Sequence, residues 1–291
     1  MNNYIAFQKV IENGSFTKAA IELGYTQSAI SQMIAALEEQ LGIKLLIRSH
    51  NGIRLTAEGR RIYPTILKSI HQFQQIKIKA NEIKGLTQDV IRIGTISSIT
   101  CHWLPMLIKS FKQKYPHVEF VMYQGDYNSI AEWIKNGTID IGFTTPAMTT
   151  GLKIIPIKQG EMQAIIPLDH PLADQPGVPL PLKCLANEPI ILLEEGTYSE
   201  PLNAFTAAGI KPNIEYRIHD DYAIMTMVEA GLGISILANL VLLRMPFKFV
   251  RRPLVPKITR KIGVAFLNQN ELSLACQYFV HQIQAMKSQL P

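Results

Sequence analysis

Apolar residues recur at helical spacing from the start of the chain. Tyr4, Phe7, Val10 and Ile11 lie on one face of a helix that Gly14 stops. Ser15 is placed to cap a second, shorter helix with Phe16, Ala19, Ala20 and Leu23 facing inward, and Gly24 closes it. Thr26 caps a third helix running to about Gln40, whose Ile30, Met33, Ile34, Leu37 and Leu41 form a single stripe. Two helices joined by a short turn containing glycine are a helix-turn-helix signature. Two short extended pieces then flank Asn51-Gly52, a hairpin signal. Residues from about 57 to 87 read as one long helix capped by Thr56. Its apolar positions Ile62, Ile66, Ile70, Phe73, Ile76, Ala80 and Ile83 recur at steps of three or four, which implies a coiled-coil partner. Pro64 is expected to bend it near its start, and "KGLTQD" ends it and forms a hinge.

From residue 89 the period changes. "VIRIG", "LPMLIKSFKQKYP", "VEFVMYQG", "SIAEWIKNG" and "IDIGFTT" alternate strand and helix, which predicts a parallel sheet with right-handed crossovers. A second series runs from "EPIILLEEG" through "PLNAFTAAG", "PNIEYRIH" and "YAIMTMVEAGLG" to "ISILAN". The strand "KIGVAFL" and the helix "ELSLACQYFVHQIQAM" finish the chain. Two similar α/β halves suggest two lobes with a cleft between them. Ligands in such sheets sit beyond the C-terminal ends of strands, near helix N-termini.

Charge separates these zones. Residues 1–88 carry 11 Lys/Arg against 6 Asp/Glu, whereas residues 89–291 carry 18 against 17. The basicity sits in the first third, as a polyanion partner requires. Cys101, Cys184 and Cys276 are far apart and odd in number, with neither metal-ligand spacing nor a disulfide framework, which fits a reducing cytosol. No secretory signal or apolar run of membrane-spanning length is read, so a cytoplasmic, soluble protein is expected.

On the third helix, Gln27, Ser28, Ser31 and Gln32 share the side opposite the apolar stripe. Taken alone, such a face can be merely solvated. Short hydroxyls and amides at a helix start can also enter the major groove, where Gln can bond adenine in bidentate fashion. Arg48 and Arg54 bracket the hairpin turn, with His50 at its edge, and make a wing suited to phosphates or the minor groove.

In the third zone, "TISSITCHW" places Ser97, Ser98 and Thr100 at a helix N-terminus, where hydroxyls and N–H groups hold an anion. Ser97 and Thr100 could equally do no more than cap that helix. Thr144 and Thr145 end a strand on the same side. Thr197, Tyr198 and His219 could close from the second lobe, although His219 also reads as an ordinary strand-end residue.

Enzyme chemistry is not supported. His219-Asp220-Asp221 has no third ligand in reach, "EAGLGIS" lacks the strand-turn-helix context and third glycine of a dinucleotide site, and no G-x-S-x-G or P-loop occurs. No metal or cofactor is expected. Cys101 beside His102 raises a redox reading through an imidazolium-lowered thiol pKa, but without a neighbouring resolving cysteine a buried structural role is favoured. A cytosolic small-molecule receptor that does not act on DNA directly is the alternative function. The basic helix-turn-helix zone argues against it.

The segment "GSFTKAA…LGYTQSAISQMIAALEEQLGIKLLIRS…GIRLTAEG" resembles the N-terminal domain of LysR-type transcriptional regulators. "IRIGTIS", "LPMLIKSFKQKYPHVEF", "IKNGTIDIGF", "PLDHPLA" and "VEAGLGISIL" extend the likeness over essentially the whole chain, more loosely. The resemblance implies a multidomain fold: an all-α-type winged helix-turn-helix over 1–58, a linker and dimerisation helix with hinge over 59–88, and an α/β effector domain over 89–291. That last domain would be two-lobed like a periplasmic binding protein, with lobe I at about 89–162 and 264–291 and lobe II at about 163–263. It further implies double-stranded promoter DNA and a small-molecule effector as partners, an anion by the hydroxyl argument. Homodimers or homotetramers would form through the linker helix and effector domain, on interrupted palindromes. The DNA-contacting positions carried over are Thr26, Gln27, Ser28, Ser31, Gln32, Arg48 and Arg54. Many members have Arg, His or Lys where this chain has Gln32; losing that cation should weaken phosphate attraction or shift base preference, so the operator sequence cannot be copied from theirs.

Overall fold

The computed structural model describes residues 1–49, 52–83, 90–194 and 196–291. The hinge expected at 84–89 and the wing residues His50 and Asn51 lie outside the described residues, as do the side chains of Arg48, Ala80 and Ile83. The chain forms two compact units, one centred on residues 1–86 and the other on residues 87–291.

The first unit comprises α1 (Asn2–Asn13), α2 (Phe16–Leu23), α3 (Gln27–Leu41), β1 (Leu46–Ser49), β2 (Gly52–Leu55) and α4 (Ala57–Ile83). The ends of α1 and α2 sit where the punctuation predicts, and α3 runs to Leu41, one residue past the expected end. Gly14, Gly24 and Gly42 terminate α1, α2 and α3 in left-handed conformation at φ 60, 70 and 67°. Ser15 and Thr26 accept from the backbone N–H groups of Lys18 and Ala29. Phe7, Val10, Ala19, Ile30, Ile34 and Leu37 close one core. Lys9 of α1 pairs with Glu22 of α2 at 2.7 Å, across that core's rim.

Two expectations change here. Ser49 pairs with Gly52, so Gly52, at φ +105°, is the first residue of β2. Ile66 and Ile70, read as dimer stripe, are buried in this unit's own core, whereas Ile76 is 64% exposed. One apolar stripe thus serves two surfaces, because α4 outruns the domain it packs on. The helix continues through Pro64.

The second unit contains β3 (Val90–Thr95), α5 (Ser97–His102), α6 (Leu104–Lys114), β4 (Glu119–Gln124), α7 (Tyr127–Asn136), β5 (Ile141–Thr144) and the 14-residue β6 (Lys153–Ile166). These are followed by β7 (Leu180–Pro181), β8 (Pro189–Leu193), α8 (Glu200–Ala207), β9 (Asn213–Ile218) and α9 (Asp221–Glu229). The chain then completes β10 (Ser235–Ala238), β11 (Val250–Val255), β12 (Thr259–Phe266) and α10 (Leu274–Met286). β3 pairs in parallel with β4 and β5, as expected of β-α-β units. The full sheet is mixed, in the order β4-β3-β5-β12-β6-β11-β7 with β10 also on β6. The antiparallel strands β6 and β12, not the crossovers, join its two ends. β8 and β9 form a separate parallel pair.

Two cores result. One gathers β3, β5, α6, α7, the end of β12 and α10 around Trp103, Phe111, Phe143 and Phe279. The other gathers β8, β10, α8 and α9 around Ile191, Phe205, Ile224 and Leu237. The chain changes core between Ile157 and Met162 and again between Ile258 and Ile262, so β6 runs through both cores and the chain returns to the first as β12 begins. The "EAGLGIS" glycines serve this packing. A Cβ on Gly233 would lie 2.5 Å from the Pro189 carbonyl, where β8 and the chain entering β10 exchange hydrogen bonds.

Candidate functional site

The first unit presents the polar helix face. Gln27, Ser28 and Gln32 are exposed and Ser31 is half-buried, while Ile30 and Ile34 on the opposite side are closed into the core. Thr26 is exposed, but its oxygen accepts from Ala29 N–H at 3.2 Å and bonds Ser28 Oγ at 3.0 Å, so the cap orders the face it belongs to. Arg54 is exposed on β2; its cross-strand neighbour is Ile47, also exposed.

What fixes the wing to the helix is a residue that periodicity passes over. Glu38 lies on the buried side of α3, and its carboxylate accepts from Leu45 N–H at 2.8 Å, Leu46 N–H at 3.2 Å and Lys44 Nζ at 2.7 Å. Burial alone would raise its pKa. The Lys44 ammonium and the two amides outweigh that and hold it below the usual carboxylate range. Thr56 completes the joint by donating to the Lys44 carbonyl at 2.7 Å and capping α4 through Gly59 N–H at 2.8 Å. A Cβ on Gly59 would sit 2.3 Å from the Leu45 carbonyl, so α4 starts hard against the residue that leads into β1. The signal that could have found Glu38 is a carboxylate on an apolar helix face.

In the second unit a cavity of about 360 Å³ opens between the two cores, lined from the first lobe by Ile96, Ser97, Gln124, Gly125, Asp126, Ser129 and Trp133. Leu193, Glu194, His219 and Asp221 line it from the second. Each group follows the C-terminal end of a strand: β3, β4, β8 and β9. A smaller chamber of about 180 Å³ adjoins it, sharing Ser97, Gln124 and Asp221 and adding Ser98, Cys101, His102, Tyr222, Met225, Val241 and Met245. Gln124 Nε2 donates to Ser97 Oγ at 3.2 Å where the two meet.

The expected residues distribute unevenly over this cleft. Ser97 and His219 line the main cavity and Ser98 the smaller one. Ser98 Oγ accepts from the buried Arg260 at 3.4 Å, and Arg260 also donates to Tyr127 Oη at 2.6 Å. Thr100 is not on the lining; its hydroxyl is within hydrogen-bond distance of the Ile96 carbonyl and Thr95, which makes it a part of α5. Thr144 and Thr145 are buried off the lining, and Thr144 Oγ1 has no hydrogen-bond partner among the described residues. Tyr198 packs on the first lobe's core. Thr197 crosses between lobes, its N–H and hydroxyl both within hydrogen-bond distance of Asn128 Oδ1, at 3.0 and 3.2 Å.

The cavity walls carry Asp126, Glu194 and Asp221 and, among the described residues, no lysine or arginine, so the expected anion meets neither of those side chains on this lining. One expectation is corrected here. Cys101 is exposed, not buried. Burial, and then the charge of Arg244, hold the pKa of its neighbour His102 below the ordinary histidine value, which works against the imidazolium that the redox reading invokes.

Residues 1–60 match the family described as "Bacterial regulatory helix-turn-helix protein, lysR family", and residues 84–287 match "LysR substrate binding domain". The chain is 34% identical over 277 residues to the uncharacterized HTH-type transcriptional regulator YvbU of Bacillus subtilis, covering 94% of each. It is 30% identical over 282 residues to the transcriptional dual regulator GltC of the same organism, covering 94% of this chain and 92% of that one. Among solved structures, CbnR, described as a LysR family transcriptional regulator, shares the fold with a TM-score of 0.71 at 21% identity over 98% of both chains. Full-length CbnR with its target DNA gives 0.69 at 22% identity, again over 98% of both.

Proposed function

The chain belongs to the LysR family of DNA-binding transcriptional regulators, and from that premise we propose which of its surfaces read DNA and which read a signal. The N-terminal half of α3 enters the major groove, with Gln27, Ser28, Ser31 and Gln32 facing base edges and Thr26 fixing the helix start. Arg54, with Arg48, meets phosphates or the minor groove beside it. The cleft between the lobes of the second unit takes a small-molecule effector, and its closure biases the assembly on DNA between two arrangements. The apolar stripe of α4 beyond Ile70 and the second unit build a homodimer or homotetramer, which suits an interrupted palindromic operator. The chain carries out no catalysis, and promoter DNA as partner places it in the cytoplasm.

The observation that carries this reading is the exposed, uncharged polar start of α3 together with an exposed arginine on β2 of the same unit. The test is to mix the purified protein with sheared genomic DNA, recover bound fragments and sequence them. Sharp enrichment of a few intergenic sites sharing an interrupted palindrome is expected. Uniform recovery at moderate salt would sink sequence-specific reading by α3.

A further inference from the structure

The cavity between the lobes has the size of a small-ligand pocket, and its polar groups are unequal in sign. Asp126, Glu194 and Asp221 reach it from the ends of three different strands, on both lobes. His219 is the basic side chain on the described lining, and its ring already faces Glu194, with Nε2 3.4 Å from Oε2 and Nδ1 2.7 Å from the backbone carbonyl. Arg260 lies off this lining, with its guanidinium on Tyr127 and Ser98.

The two long helices that start at the cavity offer an anion little. The first N–H groups of α7 and α9 are met by the chain's own carboxylates: Asp126 accepts from Ser129 N–H at 2.7 Å and Asp220 from Ala223 N–H at 2.8 Å. The positive end of each helix is therefore answered before a ligand arrives. An aromatic wall completes the setting. Trp133 lines the cavity and lies so close over Gly125 that a Cβ there would come within 2.6 Å of the indole. Carboxylates converging beside an indole form the environment that holds an ammonium or guanidinium, by charge and by attraction to the ring.

We infer that the effector presents a protonated amine or guanidinium to Asp126, Glu194 and Asp221 in this cavity. The inference rests on the reading of the cleft as the effector site. Its apolar remainder points into the adjoining chamber, past the Gln124–Ser97 contact, toward Met225, Val241 and Met245.

The test titrates the full-length protein with matched probes, following tryptophan fluorescence and calorimetric heat: butylamine against butyrate, putrescine against succinate, and agmatine. Saturable binding by the amines, with at least about tenfold preference over the carboxylate of equal length, is expected. Glu194→Gln should weaken amine binding about tenfold or more. Asp126→Asn keeps an acceptor for the α7 cap while removing a charge, and should weaken it similarly even if Glu194→Gln disturbs the loop. Unfolding curves for both variants separate lost affinity from lost structure. Carboxylates binding as well as or better than amines would overturn the charge assignment while leaving the cleft as the effector site. Absence of saturation by every amine up to about 10 mM would overturn it too. Failure of the regulator reading would instead appear in the genomic-fragment experiment, which needs no effector.

Discussion

At the residue scale, two buried carboxylates behave in opposite ways. Glu38 has its folded pKa lowered by Lys44 and two amides, so its stabilisation is present above the unfolded carboxylate pKa and is lost as pH falls through the lower folded value. Glu38→Ala is expected to cost about 2–3 kcal/mol by urea unfolding at pH 7, by leaving the Leu45 and Leu46 amides without their acceptor. It should also loosen the wing and weaken DNA binding. Asp140 is the reverse: burial pushes its pKa up to about 6, against the smaller effects of the Arg92 amide at 2.7 Å and the Arg92 charge. Between the unfolded value near 4 and about 6 the folded state holds the extra proton, so stability contributed there falls as pH rises. Asp140→Asn keeps an acceptor for Arg92 N–H. It should be neutral or stabilising at pH 7, by up to about 3 kcal/mol, and should flatten the pH dependence of stability in that window. An unchanged slope would mean that Asp140 titrates normally.

At the scale of elements, α3 and the wing should fail differently. Arg54→Ala should weaken binding to every sequence and lower the salt slope by about 1, since a phosphate contact releases a counterion. Gln32→Ala should change salt dependence little and relax base preference at one position, by about 1–3 kcal/mol of discrimination. An unchanged ranking of operator variants would remove Gln32 from base readout. On α4, Ile76→Glu should shift the sedimentation profile toward smaller species without lowering the melting temperature of the first unit, because Ile76 is exposed while Ile66 and Ile70 are not. The helical elements were legible because capping residues and glycines carry their own local physics, and α1 to α3 end where that physics says. β6 was not legible. "KIIPIKQGEMQAII" leaves one core and enters another along its 14 residues, so no single period-two pattern survives, and Pro156 and Gly160 interrupt it further. The cleft was half legible. Ser97 follows β3 in an obvious strand-to-helix turn, but Asp126, Trp133 and Glu194 meet it only through topology, and no spacing in the chain brings them together. Attention to the residues just past β4 and β8 would have found Asp126 and Glu194.

At the scale of the second unit, the lobes are tied across the cleft at Asn128, whose side-chain oxygen faces both the Thr197 N–H and hydroxyl. The approach is close: a Cβ on Gly196 would fall 2.4 Å from the same oxygen. Asn128→Ala removes this tie without touching the acidic lining. It is expected to open the cleft on average, which would appear as a larger radius of gyration for the isolated protein and weaker effector binding, with each lobe still folded. An unchanged radius and affinity would make the tie incidental to closure.

The double passage of the chain between the two cores, along β6 and back as β12 begins, has a consequence for how the molecule is made. The first lobe receives β3, α6, β4, α7 and β5 early, yet its sheet lacks β12, and its core lacks Phe279, Val280 and Ile283, until the last thirty or so residues are synthesised. The second lobe is made entirely inside that interval. On the ribosome the DNA-reading unit is complete first, the second lobe next, and the lobe that begins earliest is finished last. A nascent chain stopped before β12 would then carry an intact helix-turn-helix and one closed lobe beside an unfinished sheet, a product able to occupy operators while deaf to any signal.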